Sequence, residues 1–475
     1  MALHLFLFGW IIMVPIMRLS IWVCALPLLL CAGASFSLHA QNIRVPADPG
    51  PMAKQVRSEF LFAWNEYKNH AAGHDELRPM SQKGHDWYSQ SLYMTPADAL
   101  DTMILMGLTK EADETREMIA KNLSFDKDIE VQVFEVTIRL MGGLLSGYQL
   151  TGDERLATLA QDLGTRLLPA FESPTGMPYR FVNLKTGKTR DAISNPAEIG
   201  TLLLEFGTLS KLTGKPVFYD KAKRAVSELY VRRTKLGLVG STINVETGQW
   251  VDTTSHISGG IDSYYEYLLK SWLLFGDKDC KRMFIASMDA VNHYLAQDSK
   301  KSGLWYGQAD MNTGKLVSTK FGALDAFFPA VLARSGDVQR ARRLEESAYK
   351  MWTTFGVEPE EIDYTNMKVL EPGYMLRPEI IESAYYLYFF TKDDSYQDMA
   401  SNFLLSLSRC CKTDNGYTVL RNVSTREKAD IMPSYFLAET LKYLYLLFAP
   451  RDTVDLNKVV FNTEAHPLQR TWAVK

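Results

Sequence analysis

Residues 133–153 read VFEVTIRLMGGLLSGYQLTGD, and this stretch decides the fold. Ile138, Met141, Leu145 and Tyr148 recur at helical spacing. The helix stops at Thr151-Gly152-Asp153, and a more charged helical stretch follows. The same punctuation returns at Met106-Gly107, Thr213-Gly214-Lys215, Phe275-Gly276-Asp277, Ser335-Gly336-Asp337, Thr391-Lys392-Asp393 and Ala449-Pro450. Gly152 to Gly214 is 62 residues, Gly214 to Gly276 again 62, and Gly276 to Gly336 60. A period near 60 in a helical chain means stacked helix pairs, here about seven. An open solenoid needs a polar cap on its last repeat. The last helix, AETLKYLYLLF at 438–448, is strongly apolar, which favours closure into a barrel with an inner and an outer ring. Strand-like pieces are few: Leu238–Val245, Val251–Thr254 and Val459–Asn462. No linker splits the chain after residue 45, so 42–475 reads as a single all-α domain.

Composition agrees with a large folded domain. Of 475 residues, 46% are hydrophobic and 23% charged, which excludes a disordered chain. The net charge of −3 offers no basic excess for a phosphate backbone, so nucleic acid is excluded as a partner. Aromatic residues at 12% provide rings for a core and for sugar-stacking surfaces. Residues 1–41 differ from the rest. Met17-Arg18 precedes the apolar run Ile21–Leu30, and Ala32-Gly33-Ala34 is a small-x-small cleavage pattern, with Ala40 a second candidate. We expect a cleaved leader, cut near 34 or 40; a retained membrane anchor is the rival. The cysteines Cys24, Cys31, Cys280, Cys410 and Cys411 offer neither a disulfide framework nor a metal knuckle.

Carboxylates sit at an equivalent place in the repeats. Glu135 stands 17 residues before Gly152, Glu198 16 before Gly214, Asp262 14 before Gly276, Asp325 11 before Gly336, and Glu379 13 before Lys392. At about 1.5 Å rise per residue each acid lies roughly 16–25 Å from its turn, at the other end of the first helix of its pair. If those helices form the inner ring, the acids converge on one mouth. Any one of them alone reads as an ordinary acidic helix N-terminus. Their company argues otherwise. Glu135 and Arg139 share a face at i and i+4 inside an apolar segment, Asp262 heads the ring-rich DSYYEY, and Glu379 in Arg377-Pro378-Glu379 has Glu382 three residues on. Clustered carboxylates with aromatics suit glycoside hydrolysis, where one acid stays protonated for the leaving oxygen and another stays ionised to activate water.

At these residues the chain resembles the class I α-mannosidases, glycoside hydrolase family 47. The matching segments are HDELRP (74–79), DALDTMILMGL (98–108), the opening stretch at 133–153, NPAEIGTLLLEFGTLSKLTG (195–214), DSYYEYLLKSW (262–272), LRPEIIESAYYL (376–387), AETLKYLYLLF (438–448) and VFNTEAHP (460–467). The resemblance implies an (α/α)7 barrel plugged at one end by a C-terminal β-hairpin, and an inverting, exo-acting, calcium-dependent α-1,2-mannosidase. Carried over, Glu135 resembles the general acid and Asp262 the second essential carboxylate, which of the two donates the proton being open, while Glu379 resembles the base. Arg139, Arg377, Glu382, Tyr435 and Glu439 match residues of the mannose subsite. Thr463, a turn residue on its own reading, matches the threonine that binds calcium (Ca2+) through its carbonyl and hydroxyl oxygens, with carboxylates holding the surrounding waters.

Departures from the family pattern carry expectations too. Tyr435 stands where Phe is usual and should add a hydroxyl under the sugar. Gly260 leaves branch preference open. Segment 321–333 lacks the family's His and Cys, so that disulfide should be missing, and Asp325 should be structural. The leader and the missing disulfide suggest a bacterial, exported member, periplasmic or extracellular, monomeric, with a mannose-containing glycan as substrate and no partner protein implied. A catalytically weak mannose-glycan-binding homologue is the alternative, and an unrelated barrel lyase or epimerase is the third reading.

Overall fold

Six of the seven turns read from the sequence join a mostly buried helix to a half-exposed one, for local reasons, while the seventh, Ala449-Pro450, leads into the C-terminal hairpin. Gly152, Gly214, Gly276 and Gly336 end their helices in the left-handed region with φ of 73°, 69°, 72° and 102°, and Lys392 does the same at 60°. A residue without Cβ takes that conformation most easily, which is why glycine recurs there. The acids that follow cap the next helix: the side chains of Asp153, Asp277 and Asp337 accept from the backbone N–H groups of Arg155, Cys280 and Arg340. At Gly214 the same job falls to Pro216 in the first turn of the following helix.

The computed structural model describes residues 42–299 and 303–472. The leader expectation for 1–41 falls outside them. The helices in chain order are α1 (Pro51–Ala71), α2 (Met94–Leu105), α3 (Thr109–Asn122), α4 (133–151), α5 (Glu154–Leu167), α6 (196–213), α7 (Pro216–Val231), α8 (Asp262–Phe275), α9 (Lys278–Tyr294), α10 (324–335), α11 (Val338–Phe355), α12 (Glu379–Thr391), α13 (Ser395–Cys410) and α14 (436–448). The even-numbered helices form the inner ring. Each packs on the next even one, and α14 returns to α2, so the ring is closed. The odd-numbered helices lie outside, and α1 completes the seventh pair by packing on α14. This is an (α/α)7 barrel.

Sequence character separates the rings. In α8 the run Ser263–Ser271 is buried without interruption. In α11 only one stripe is, with Ala341, Leu344, Ala348 and Met351 at helical spacing. Lone charges inside the inner helices therefore face the barrel axis. Two inner helices widen into π-turns, at Thr137–Met141 and Phe436–Thr440; these turns carry Arg139 and Glu439, and neither was expected. The loops at the mouth pair into small two- and three-stranded antiparallel sheets, more numerous than the three pieces read from the sequence. Strands of two to four residues are too short to show an alternating pattern.

The C-terminal hairpin pairs Val459–Phe461 with Pro467–Gln469 and enters from the turn end. Its base is held there: the Gln149 side chain donates to the Gln469 carbonyl at 2.9 Å, and Arg470 Nε donates to the Leu274 carbonyl at 3.0 Å. Its tip reaches the middle of α4, where Asn462 Nδ2 donates to the Ile138 carbonyl at 2.9 Å. Gly142 and Gly143 make that approach possible: a Cβ on the first would meet Asn462 Nδ2 at 2.6 Å, and on the second the Ala97 carbonyl at 2.5 Å. The described cysteines, Cys280, Cys410 and Cys411, are buried free thiols. Among the described residues no helix is long and apolar enough to cross a membrane.

Candidate active site

The N-terminal ends of the inner helices surround a cavity of about 260 Å³, with the hairpin tip as its floor. Glu135 from α4, Asp262 from the start of α8 and Glu379 from the start of α12 all line it. So do Arg139, Arg377, Tyr435, Glu439 and Thr463, together with Glu198 and Glu464. Glu382, one turn further along α12, lines a smaller hollow of about 40 Å³ that shares Asp262, Glu379, Glu439 and Thr463 with the first.

The three acids are held differently. Glu135 Oε2 accepts from Arg139 Nε at 2.9 Å, the i,i+4 pair legible in the sequence. Among the described residues no cation lies within ion-pair distance of Asp262; its Oδ1 accepts from the Ser263 N–H at 2.6 Å and the Ser263 hydroxyl at 3.2 Å. Burial lifts the Asp262 carboxyl to about 7, against the opposing pull of the Ser263 bonds. Glu379 is also lifted to about 7 by burial, with the Arg377 charge opposing. Its Oε2 is buried and has no hydrogen-bond partner. Two carboxyls poised near neutrality in one cavity suit proton transfer.

Basic groups are placed by pairing across the fold. Arg377 donates to Glu360, Nη2 to Oε2 at 2.9 Å, and Glu360 Oε1 also accepts from the Met375 N–H at 3.0 Å. Arg139 pairs with Glu464 of the hairpin tip and approaches Asp98 at 3.7 Å. Its guanidinium lies between the rings of Trp87 and Tyr435, 5.1 and 5.5 Å from their centroids. Tyr435 lines the cavity. Its hydroxyl donates to the Met375 carbonyl at 2.6 Å, because a buried phenol takes the nearest acceptor. Gly260 adopts φ of 92° and a Cβ there would meet nothing closer than 3.9 Å, so the mouth stays open beside it. Asp325 lines neither hollow; its Oδ2 accepts from the Gly322 N–H at 2.9 Å. Glu198 is clamped by Arg180, whose Nε and Nη2 donate at 2.6 and 2.8 Å.

Negative charge exceeds positive charge around the hairpin tip. Asp262, Glu266, Glu379, Glu382 and Glu439 share the small hollow with Thr463, and the one lysine beside them, Lys270, pairs with Glu266 and reaches Glu382 at 3.8 Å. Burial pushes Glu382 up to about 8 although Lys270 opposes it. Glu439 is raised by burial and by the charges of Glu464, Glu379 and Glu382. The Thr463 N–H donates to the Tyr267 hydroxyl at 3.3 Å, while its own hydroxyl and carbonyl oxygens accept from no described residue. No three His, Cys, Asp or Glu side chains among the described residues come together as direct metal ligands. Free threonine oxygens inside an uncompensated ring of carboxylates fit a hard divalent cation that keeps most of its water.

Sequence reading missed the polar ladder below this site. His466 is sandwiched, Nδ1 2.6 Å from Asp101 and Nε2 3.3 Å from Asp98, and Lys442 Nζ lies 2.7 Å from Asp101. All four are fully buried. Their signal was available: Asp98, Asp101 and Lys442 are lone charges inside apolar inner helices.

An (α/α)7 barrel whose inner helix ends gather carboxylates in one small cavity suits a glycoside hydrolase. Comparison with known proteins makes the class specific. The model of glycosyl hydrolase family 47 matches residues 59–470, and the chain belongs to that family. It is 38% identical over 475 residues to α-mannosidase I MNS4 of Arabidopsis thaliana, covering 95% of this chain and 75% of that protein. It is 37% identical over 457 residues to human ER degradation-enhancing alpha-mannosidase-like protein 2, covering 89% of this chain and 78% of that one. Among solved structures, the α-1,2-mannosidase from Trichoderma reesei matches with a TM-score of 0.80 at 29% identity, covering 88% of this chain and 99% of that chain.

Proposed function

We propose that this hydrolase is an exo-acting, inverting, calcium-dependent α-1,2-mannosidase. The observation that carries the reading is the single cavity that unites Glu135, Asp262 and Glu379 above Thr463. At about 260 Å³ it falls just below the ~300–1,000 Å³ of sites for larger ligands, which suits one terminal sugar. Similarity to the Trichoderma reesei enzyme supports the α-1,2 linkage.

In this reading Glu379 takes the proton of the attacking water, and the leaving oxygen is protonated from the Glu135–Asp262 side. An inverting site keeps acid and base about 6.5–9.5 Å apart so that water fits between them. Arg139, Arg377, Glu382, Tyr435 and Glu439 bind and orient the mannose. Thr463 would hold calcium through its carbonyl and hydroxyl oxygens, with Glu266, Glu382 and Glu439 holding the ion's waters. When bound, the ion supplies positive charge to which sugar hydroxyls and carboxylates both orient.

The test is direct. Purified protein releases mannose from α-1,2-mannobiose, EDTA stops the release and calcium restores it. Proton NMR of the first product shows β-mannose. Absence of release from any α-mannoside with calcium present rejects the reading. It would instead favour a glycan-binding homologue with little turnover, a reading that draws on the likeness to the degradation-enhancing mannosidase-like protein.

Location, source and assembly belong to the same proposal. The leader supports export to the periplasm or medium, with cleavage near 34 or 40, which N-terminal sequencing of the secreted protein checks. A bacterial source rests on the leader and the missing disulfide; the relatives from Arabidopsis, human and Trichoderma add no weight to it. A monomer in solution is expected by light scattering.

A further inference from the structure

At the turn end, beside the base of the hairpin, lies a cavity of about 370 Å³ that shares no lining residue with the catalytic one. Its size is within the ~300–1,000 Å³ usual for small-ligand sites. Arg334, Lys458 and Arg470 line it, with Asn42, Asn457 and the hairpin residue Val460. Among the described residues no acidic side chain lines it. Three cations without an acid stand out in a chain whose net charge is −3. They also invert the catalytic cavity, where carboxylates outnumber the two arginines.

The two arginines reach the cavity from different elements. Arg334 is partly buried in the last turn of α10, and Arg470 follows the second strand of the hairpin. Each already caps main-chain carbonyls. Arg334 Nη2 donates to the Leu456 carbonyl at 2.6 Å, and Arg470 donates from Nε to Leu274 at 3.0 Å and from Nη2 to Leu273 at 3.3 Å. Capping accounts for these three bonds, and among the described residues the remaining N–H groups of both guanidiniums have no acceptor. Asp455 acts on Arg334 only from a distance, and it is already engaged, by Lys458 at 3.4 Å and by the Asn457 N–H at 3.0 Å. Burial draws the Arg334 pKa below its ordinary value, and Tyr386 and Asp455 oppose this only in part. A partly desolvated guanidinium without a counter-charge is unfavourable, and a bound anion relieves it.

We propose that this cavity is an anion site that takes a phosphate group, free in solution or carried on a lipid headgroup. Guanidiniums present paired N–H groups that match phosphate oxygens, and the Lys458 ammonium adds a point charge. Three cations arriving from separate elements suit a tetrahedral anion of about −1.5 to −2 charge better than a planar carboxylate of single charge. The anion joins the end of α10 to the base of the hairpin whose tip carries Thr463. It therefore steadies the plug from the end opposite the sugar and touches no group of the catalytic cavity. The site stands or falls independently of the mannosidase reading.

Calorimetry titrates inorganic phosphate into the protein at constant ionic strength and micromolar calcium, with chloride as the control. The variants are Lys458→Glu, at a side chain 63% exposed and so tolerant of change, and Arg334→Gln, which keeps a donor for the Leu456 carbonyl. We expect saturable binding in the wild type and about tenfold weaker binding in each variant, the loss of one charge-assisted contact. Phosphate should also slow hydrogen exchange at 459–469 in the wild type and not in Lys458→Glu. Phosphate stabilises many proteins by exclusion from their surface, so only the difference between wild type and variant counts. Vesicles of phosphatidylglycerol form the second arm. Binding to them but not to inorganic phosphate, lost in Lys458→Glu, assigns the phosphate to a lipid headgroup; binding to inorganic phosphate assigns it to a soluble ion. No binding in either arm, or equal binding by wild type and Lys458→Glu, overturns the site. Should Arg334→Gln fail to fold, Lys458→Glu decides alone.

Discussion

The two ends of the barrel are built on different physics. At the turn end every junction is local. A left-handed residue ends one helix, and the side chain of the next residue caps the helix that follows, as at Gly276 and Asp277. At the mouth end the partners come from other parts of the chain: Arg139 pairs with Glu464 and Tyr435 with Met375. The turn end contains few buried charges and relies on caps, whereas the mouth concentrates carboxylates whose ionisation burial opposes.

Substitutions that separate the ends should differ in kind. The largest effect is expected at Glu379. Glu379→Gln removes the proposed base while keeping the shape, so kcat should fall by about 10²–10⁴-fold, with oligosaccharide still binding in calorimetry. Turnover near the wild-type rate would move the base elsewhere. Thr463→Ala should come next. It deletes a free oxygen at the hairpin tip, and calcium should then no longer raise the melting temperature of the protein, which it does in the wild type by binding only the folded state. A calcium-induced rise that survives in Thr463→Ala would place the ion away from the tip.

The pH dependence of stability sharpens the contrast further. Asp262 and Glu379 titrate near 4 when unfolded and near 7 in the fold because of burial. Between those values the native state binds more protons than the unfolded state, so stability falls as pH rises through the window. Asp262→Asn removes one contribution. Urea midpoints measured from about pH 4 to about pH 7 in EDTA should then fall less steeply than in the wild type; parallel curves would mean that Asp262 is ionised throughout. The smallest effect belongs to the turn end. Gly276→Ala meets no neighbour within 4 Å, so only the left-handed backbone objects, at roughly 1–2 kcal/mol. Its melting temperature should drop while kcat/KM stays put. A kinetic defect there would contradict the independence of the two ends.

How much was legible follows the same divide. The period near 60 and the repeated Gly or Gly-Asp turns marked the helix pairs, because capping depends on neighbouring residues. The placement of Glu135, Asp262 and Glu379 one helix length before their turns pointed to a common mouth, and they do line one cavity. The π-turns at 137–141 and 436–440 gave no warning, since a single inserted residue leaves hydrophobic spacing almost unchanged. The acceptor of the Tyr435 hydroxyl was not legible, because it lies 60 residues away in the chain. The ladder of Asp98, Asp101, Lys442 and His466 was passed over although its first three members stood out as charges inside apolar helices.

Sequence alone determined the helix pairs, their number and the acids at one end, because helical periodicity, capping and rise per residue are short-range properties of the chain. Only the tertiary structure decided which charge faces which and where the hairpin tip ends. Those outcomes depend on closing the ring of inner helices. That closure brings residues more than 300 positions apart into a low-dielectric space where ionisation and pairing are set by the enclosure itself.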